Sequence, residues 1–458
     1  MTPTREEVSS NRRMGGNTWI RPKRLIIIAA IFHVAVTLAI YTLGRYSVLP
    51  ANFDSNGIGI SFAPDAAVDR ADAATLSEIL KRTSFRDWFT APFALHAKLY
   101  SLCFALFGST LGMNILGAEP INLFFYLAML ILVFQLGRET FNARAGIVAS
   151  VIVGLWPSLL LHSTQMLKDP LFLVGMLAFV LINMHLLSRN LSLLPATLLA
   201  LLGGLVAIFL WLGRDSMVQM LVSTSLLGVT LLVIRQVREK QLQAANLFAL
   251  TLLMFISIIV TLLLPTFENL DGPKTETTNV VRGDDPSSNT GTENSTIQST
   301  PTNQGPVARV SVLRKRFIEM YPDSTSNVDT HIQLTEMADI LRYLPRAAAI
   351  GFFAPFPNMW LTSGKQVGSA GRLLSGIETL AMYAIEGLAI IGLWHERRRV
   401  SVWLLVTTAT IGVIALGLIV VNVGALYRLR YAFLILIIIV AAGGISQLLG
   451  RYNSQAHS

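Results

Sequence analysis

The sequence has very little cysteine and little charge. Cys103 is its single cysteine, which excludes an intrachain disulfide and a cysteine-based zinc cluster. Charged residues make up only 14% of the 458 residues, whereas a soluble protein has roughly 25%. A nucleotide-binding fingerprint is also lacking. The formal charge of +9 does not indicate a nucleic-acid partner, because most basic residues lie in short segments between apolar runs.

The sequence is instead rich in apolar windows of about 20 residues, which follow one another along the chain as transmembrane helices do. It therefore predicts an all-α polytopic membrane protein with about ten transmembrane helices. The predicted spans cover residues 25–45, 119–137, 145–163, 170–187, 192–212, 216–234, 245–265, 371–394, 401–421 and 430–448.

The basic residues predict the orientation of these spans. The N-terminal segment, the turns after the second and sixth spans, and the run Arg397–Arg399 are all basic, so they belong on the cytoplasmic side. The rule holds throughout only if the short apolar stretch 93–107 lies along the membrane surface instead of crossing it. Both ends of the chain are then cytoplasmic. The first apolar run starts late, at Leu25, and is long enough to be a span and not a cleaved signal.

The same pattern divides the chain into five segments. They are a basic cytoplasmic segment (1–24), an N-terminal transmembrane module (25–265) with an outward loop at 47–112, a second outward loop (266–345), a C-terminal transmembrane module (346–449) and a cytoplasmic tail (450–458).

Both outward loops are predicted to carry interfacial helices. The first has helical periodicity over 66–81 and the surface helix at 93–107. In the second, residues 272–305 are too poor in large apolar residues to bury a core and are predicted to be disordered. Residues 307–344 regain amphipathic periodicity. Residues 346–360, interrupted by prolines, form a surface or re-entrant element.

Asp65 is the candidate catalytic base. It follows Pro64 at the start of a predicted helix, next to a bilayer in which an acid is costly unless it faces water or a partner. An aspartate at a helix start is also an ordinary N-cap, and spacing alone favours that role. Asp69 lies one turn further on the same face and is a candidate for substrate binding, with a solvated helix face as the alternative.

Further candidates for substrate binding lie at the membrane boundary. His96 and Lys98 open the surface helix, where an interfacial anchor is the alternative role. Lys168 and Asp169 precede Pro170, so they could simply cap the fourth span.

Arg428 and Arg430 break the charge rule, because short outward loops should contain little arginine. Two guanidinium groups at a membrane interface suit a phosphate head group, since their geometry matches phosphate oxygens. A salt bridge to one of the outward acids is the alternative. Glu378 lies inside the eighth span and therefore needs a partner.

The order of these features resembles the GT-C class of membrane glycosyltransferases, which includes protein mannosyltransferases and aminoarabinose transferases. The matching segments are FAPDAAVD (62–69), HAKLYSLCFALFG (96–108), the turn at 142–146 containing ARAG, and WPSLLLHSTQMLKDPLF (156–172). The resemblance covers residues 25–215, and more generally the YRLR stretch at 427–430. His96-Ala97-Lys98 replaces the usual prolines of the class, and its frequent paired acids are absent at Asp65.

The resemblance implies transfer of a sugar from a polyprenyl-phosphate donor to a glycan, lipid or protein acceptor, with inversion, on the outer face of a bacterial inner membrane. Asp65 would be the base, and Lys98, Arg428 and Arg430 would hold the leaving phosphate. Lys168 and Asp169 would shape the site.

The resemblance also bears on the cofactor. Some members of the class use a divalent metal, but the isolated acid at Asp65 argues against one. No residue is assigned as a metal ligand, and the lipid-linked sugar is the donor substrate.

Two other functions remain open. A polysaccharide polymerase of the O-antigen or exopolysaccharide type would also have large outward loops and outward arginines, but it would depend on Arg428, Arg430 and residues 307–344 and not on Asp65. A transporter or flippase would show paired halves with broken spans in matching positions.

Overall fold

The structure is a computed structural model, and it describes residues 22–48, 52–53, 59–60, 63, 65–214, 217–263, 305–320, 322, 324–361 and 368–455. Residues 1–21 of the predicted N-terminal cytoplasmic segment and the stretch predicted to be disordered (272–305, except its last residue) lie outside the described residues. In the described part the secondary structure is helical, and pairing between extended segments is limited to two isolated bridges, Phe53 with Ile60 and Asn327 with Asn422.

Seventeen α-helices make up the described chain. They are α1 (Pro22–Arg45), α2 (Asp65–Arg82), α3 (Phe85–Thr90), α4 (Leu95–Leu111), α5 (Ile115–Thr140), α6 (Ala143–Gly154), α7 (Pro157–Ser163), α8 (Asp169–Ser188), α9 (Leu193–Gly213), α10 (Gln219–Glu239), α11 (Ala244–Leu263), α12 (Pro306–Met320), α13 (Met337–Phe353), α14 (Gly368–Glu396), α15 (Val400–Ile419), α16 (Val423–Leu429) and α17 (Tyr431–Gln455).

Within the described residues, nine helices are long and apolar enough to cross a membrane: α1, α5, α8, α9, α10, α11, α14, α15 and α17. Helices α6 and α7 together form one further candidate span, which is bent. This confirms the prediction of an all-α polytopic membrane protein.

The third predicted span, 145–163, is not one straight helix. Helices α6 and α7 meet at an angle of 70°, and the break lies at Leu155 and Trp156. Pro157 is the first residue of α7, where its missing N–H costs nothing and its ring would have clashed with a continuing helix. The third predicted span is therefore a bent pair of helices and not one straight helix.

The two loops that the charge pattern predicts to face outward contribute helices that are not candidate spans. Helices α2 and α4 come from the first loop and pack against each other, and α4 also packs on α5. In the second loop, α13 runs without interruption from Met337 to Phe353 across the predicted boundary at 345/346. It ends before Pro355, and a 3₁₀ turn follows at Pro357–Met359.

The most buried candidate span is α17. It packs along α14, α15 and α6. It begins at Tyr431, just after the short helix α16, and continues to Gln455, well beyond the predicted end at 448. Close helix crossings around it use glycine: a Cβ on Gly412 of α15 would overlap the Phe433 ring of α17. The C-terminal helices are thus packed tightly onto the N-terminal ones.

Candidate functional site

The candidate base Asp65 forms an ion pair with the candidate phosphate ligand Arg428. Asp65 is the first residue of α2 and Arg428 lies in the last turn of α16. The Arg428 Nη2 to Asp65 Oδ2 distance is 2.5 Å. The Asp65 side chain is 42% exposed to solvent, and that of Arg428 is 15% exposed. The carboxylate is therefore engaged in a tertiary contact and still reaches solvent.

Asp169 joins the same group from the start of α8. Its Oδ1 lies 2.7 Å from Nη1 of Arg214, and its Oδ2 lies 3.2 Å from Nε of Arg428. Arg428 thus bridges Asp65 and Asp169. We call Asp65, Asp169, Arg214 and Arg428 the Asp–Arg cluster.

The local sequence explains how the cluster is positioned. Pro170 places Asp169 at the N-terminus of α8, where the helix dipole favours a negative charge. Asn422 caps α16 by accepting a hydrogen bond from the Ala425 N–H, which fixes the short helix that carries Arg428. Arg214 follows the last residue of α9, so four separate chain segments meet at one end of the bundle.

Lys168 lies next to the cluster and adds a third cation. Burial, and then the positive charge of Arg214, lower its pKa. Its electrostatic neighbours include Asp169, Asp69 and Asp65, which oppose that shift. Among the described residues, the Lys168 ammonium has no hydrogen bond and no carboxylate within 4 Å. Its charge is therefore available to a ligand at the cluster.

Asp69, His96 and Lys98 lie on the neighbouring helices α2 and α4. His96 Nε2 is 2.9 Å from Asp69 Oδ1, and both side chains are largely buried. Lys98 donates a hydrogen bond to the Phe89 carbonyl at 2.7 Å, and burial lowers its pKa. The pair Asp69–His96 therefore joins α2 to α4, whereas Lys98 is turned toward α3 and is not part of the Asp–Arg cluster.

Arg430 is also outside the cluster. It is only 1% exposed, and its Nη1 donates to the carbonyl oxygens of Gly351 and Phe352 at 3.0 and 3.2 Å. Its guanidinium lies 5.0 Å from the centre of the Tyr427 ring, and burial lowers its pKa. Arg430 therefore caps the end of α13. Arg428, two residues earlier in the chain, instead reaches the Asp–Arg cluster.

A second polar group lies beneath the Asp–Arg cluster, around Glu378 of α14. Glu378 accepts hydrogen bonds from the Ser158 N–H at 2.7 Å and the Ser158 hydroxyl at 2.5 Å, and a third from the Tyr427 hydroxyl. The Tyr431 hydroxyl donates to Ser158 Oγ at 2.6 Å. Burial and the Glu378 charge raise the pKa of Tyr427. The buried acid thus has the partners that its place in a span requires.

A third polar group, which the sequence did not lead us to expect, connects α1 to α5 and α7. His33 Nδ1 lies 2.8 Å from Glu119 Oε1, and His33 Nε2 lies 3.0 Å from Ser163 Oγ. Thr37 donates to the second oxygen of Glu119 at 2.8 Å. A histidine and a glutamate inside apolar runs were the available signal, because ionisable residues in spans are rare and need partners.

These three groups border one small cavity. Its volume is about 10 Å³, close to what one water molecule needs. Its polar lining comes from His162, Ser163, Asp169, Arg428 and Tyr431. Its apolar lining comes from Phe125, Tyr126, Met129, Leu159, Pro170 and Leu173.

The acids of this region are not arranged as a metal site. No group of three or more His, Cys, Asp and Glu side chains suited to a metal ion occurs in the part of the chain that the structure describes. Asp65 and Asp169 are already neutralised by Arg428 and Arg214. A divalent cation would have to displace both guanidinium groups, so these residues do not fit one.

Comparisons with protein-family models, curated proteins and solved structures gave no match to this chain. Its function is therefore inferred from the arrangement of its own residues.

Proposed function

We propose that this protein is a membrane glycosyltransferase that moves a sugar from a polyprenyl-phosphate donor to an acceptor hydroxyl at the outer face, with inversion at the sugar carbon. The observation that carries this proposal is the Asp–Arg cluster. It combines one solvent-accessible carboxylate with two guanidinium groups at one end of a bundle of candidate membrane spans.

The cations of the cluster suit a lipid-linked phosphate. Arg428 and Arg214 present planar donors that match phosphate oxygens, and Lys168 adds a charge that no carboxylate of the described residues contacts directly. A phosphate monoester that leaves the sugar gains negative charge as the bond breaks. Preorganised cations stabilise that charge in a site with little water.

In this proposal the donor phosphate replaces Asp65 as the partner of Arg428. When the donor phosphate binds Arg428, it takes the place of the Asp65 carboxylate, which then becomes free to accept a proton. Asp169 stays bound to Arg214 during this exchange and keeps the buried charges balanced. Donor binding would thus activate the base.

The chemical step balances with these groups alone. The acceptor oxygen forms a bond to the anomeric carbon while the bond from that carbon to the phosphate oxygen breaks. The electron pair of the broken bond leaves on the polyprenyl phosphate, and the acceptor proton passes to Asp65. Attack from the face opposite the leaving group inverts the configuration at the carbon.

The test uses membranes that contain the full-length protein and a panel of radiolabelled polyprenyl-phosphate hexoses and pentoses. We expect the wild type to transfer label from at least one donor to membrane acceptors, and Asp65→Asn to abolish that transfer. Asp87→Asn is the matched control, because Asp87 is exposed and contacts only Ser84 and its own short helix. Arg428→Lys should retain charge but lose activity, since Lys cannot bridge two acids.

The competing functions predict different results. Retained transfer in Asp65→Asn together with loss in Arg428→Gln, and polymerised product instead of single transfer, would favour the polymerase. Release of unaltered lipid-linked donor on the opposite side of sealed vesicles would favour a transporter.

A further inference from the structure

A pocket lined by arginines lies at the end of the bundle opposite the Asp–Arg cluster. Helix α8 has 20 residues and carries Asp169 at its start and Ser188, a lining residue of the pocket, at its end. At 1.5 Å per residue the two sites are about 30 Å apart, which is the thickness of a bilayer core. This end is the one that the charge pattern predicts to be cytoplasmic.

The pocket is large and strongly basic. Its volume is about 380 Å³, within the range of ligand sites. Four arginines and one glutamate contribute to its lining, which consists of Ser188, Arg235, Arg238, Glu239, Arg398, Arg399, Val400 and Ser401. These residues belong to the end of α8, the last two turns of α10, the turn after α14 and the start of α15.

Two of the four arginines are already used by the fold. Arg235 binds both oxygens of Glu239 through Nε at 3.0 and 3.1 Å, and its Nη1 donates to the Leu187 carbonyl at 2.6 Å. Arg399 donates to the Thr140 carbonyl at 2.9 Å and pairs with Glu396 at 2.9 Å. These contacts hold the walls of the pocket in place.

The other two arginines, Arg238 and Arg398, have no hydrogen bond and no ion pair within the described part of the chain. The glutamates at this end do not neutralise them, because each has a different arginine: Glu239 has Arg235, Glu396 has Arg399, and Glu139 has Arg189 at 2.6 Å. The pocket therefore holds two uncompensated guanidinium groups that point to an anionic ligand.

The surroundings of the pocket are those of a membrane interface. Trp394 and Trp403 flank the turn that carries Arg398, and they keep 66% and 40% of their exposure. The Trp403 Nε1–H donates to the Arg397 carbonyl at 2.7 Å, and the Arg397 guanidinium lies 4.5 Å from the Trp394 ring centre. Exposed tryptophans of this kind mark the level of lipid head groups.

We infer that this pocket binds the phosphate of an anionic phospholipid from the membrane leaflet on its own side. Basic pockets between membrane helices on the cytoplasmic side are suited to such head groups. Arg238 and Arg398 would bind the phosphate, while the apolar chains of the lipid lie against exposed Val237 and Ile234 of α10. This site does not depend on the proposed transfer reaction.

The experiment is native mass spectrometry of the full-length protein released from detergent after incubation with phosphatidylglycerol, cardiolipin or phosphatidylcholine. The wild type should retain the two anionic lipids and not phosphatidylcholine. The double variant Arg238→Gln, Arg398→Gln should bind them about thirtyfold more weakly, from the loss of two cations near an anionic head group.

The matched control is Arg144→Gln, an exposed arginine at the same end of the bundle that does not line the pocket. The Arg144→Gln variant should retain both anionic lipids like the wild type.

The assignment would be overturned if the double variant retained the anionic lipids like the wild type, or if Arg144→Gln lost them like the double variant. It would also be overturned if the wild type bound phosphatidylcholine as well as it binds the anionic lipids. Displacement of the lipid by an equal concentration of glycerol phosphate would also overturn it, since the ligand would then be a soluble phosphate. All samples should show the same melting temperature in detergent without lipid, because the substituted side chains are exposed.

Discussion

Arg428 and Asp65 stand 363 positions apart in the chain, and their side chains meet at 2.5 Å. The same guanidinium reaches Asp169. One arginine near the C-terminal end therefore holds two acids from different N-terminal segments. Asp65 has no N-cap hydrogen bond among the described contacts, so the capping role that spacing favours is not the one the structure gives it.

Asp169 should matter more for stability than Asp65. Asp169→Asn leaves Arg214 and Arg428 with a buried neutral partner, and breaking a buried ion pair from one side costs about 3–5 kcal/mol. Asp65→Asn removes a partly exposed partner, whose contribution is about 1 kcal/mol or less. Denaturation of both variants in mild detergent measures the difference. Equal losses would show that Asp65 is as strongly desolvated as Asp169.

Removing the charge of Glu378 should loosen the contact between α7 and α14. Glu378→Gln replaces one of the two acceptor oxygens by an NH2 group. The single remaining oxygen then faces two donors of Ser158, the backbone N–H and the hydroxyl, which the carboxylate binds with separate oxygens. Leaving buried donors unsatisfied costs about 1–3 kcal/mol in the free energy of unfolding. Glu319→Gln is the control, because Glu319 is exposed and its ion pair within the described residues is an exposed one with Lys315. Thermal unfolding followed by circular dichroism should separate the two variants, and identical melting temperatures would contradict the role of Glu378.

Helices α13 and α15 cross so closely at Gly417 that an added methyl group has no space. A Cβ there would overlap the Ala347 carbonyl oxygen of the backbone, which cannot move as a side chain can. We expect Gly417→Ala to lower the free energy of unfolding by about 1–3 kcal/mol. Gly387→Ala in α14 meets nothing within 4 Å and should be neutral, or stabilising by up to about 1 kcal/mol. The two alanine variants can be compared in one melting experiment, and a neutral Gly417→Ala would mean that the helices separate easily.

Lys168 gives a prediction about alkaline pH. Burial lowers its folded-state pKa below the ordinary value of 10.5, so the unfolded chain binds this proton more tightly. Between the folded and unfolded pKa values, stability therefore rises with pH through Lys168. Compared with Lys168→Met, the wild type should gain relative stability as pH is raised toward 10.5. A difference that stays constant or falls over this range would show that the ammonium is not desolvated.

The sequence predicted the helical class and the number of spans because long apolar windows report burial in lipid directly. It also placed Asp65, Asp169 and Arg428 at one end, from the positions of the spans. The structure contains the salt bridge that was the alternative role of Arg428, and it joins Arg428 to Asp65 and Asp169. Which acid it pairs with could not be known, because pairing between distant segments leaves no trace in a single sequence.

The structure departs from the sequence-based expectations at two places, and the sequence carries a signal for the first of them. Trp156–Pro157 marked the break in the third predicted span, since a proline disfavours the helical conformation of the residue before it. Arg430 resembles Arg428 in sequence, but two residues correspond to about 200° of helical rotation, so the two side chains leave the helix on nearly opposite sides. Arg428 reaches the Asp–Arg cluster, whereas Arg430 is buried against the carbonyl groups of Gly351 and Phe352. Only the positions of α13 and α16 in space distinguish the two arginines.

The contacts between the two halves of the chain have a consequence for how the protein can be divided. Ser158 is bound to Glu378 near the Asp–Arg cluster, and Thr140 is bound to Arg399 near the arginine pocket. Hydrogen bonds therefore join the segments before residue 263 to those after residue 305 at both ends of the bundle, and α17 also packs on α6. If the chain is divided between residues 263 and 305 and the two fragments are expressed separately, we expect them to associate in the membrane without a covalent link.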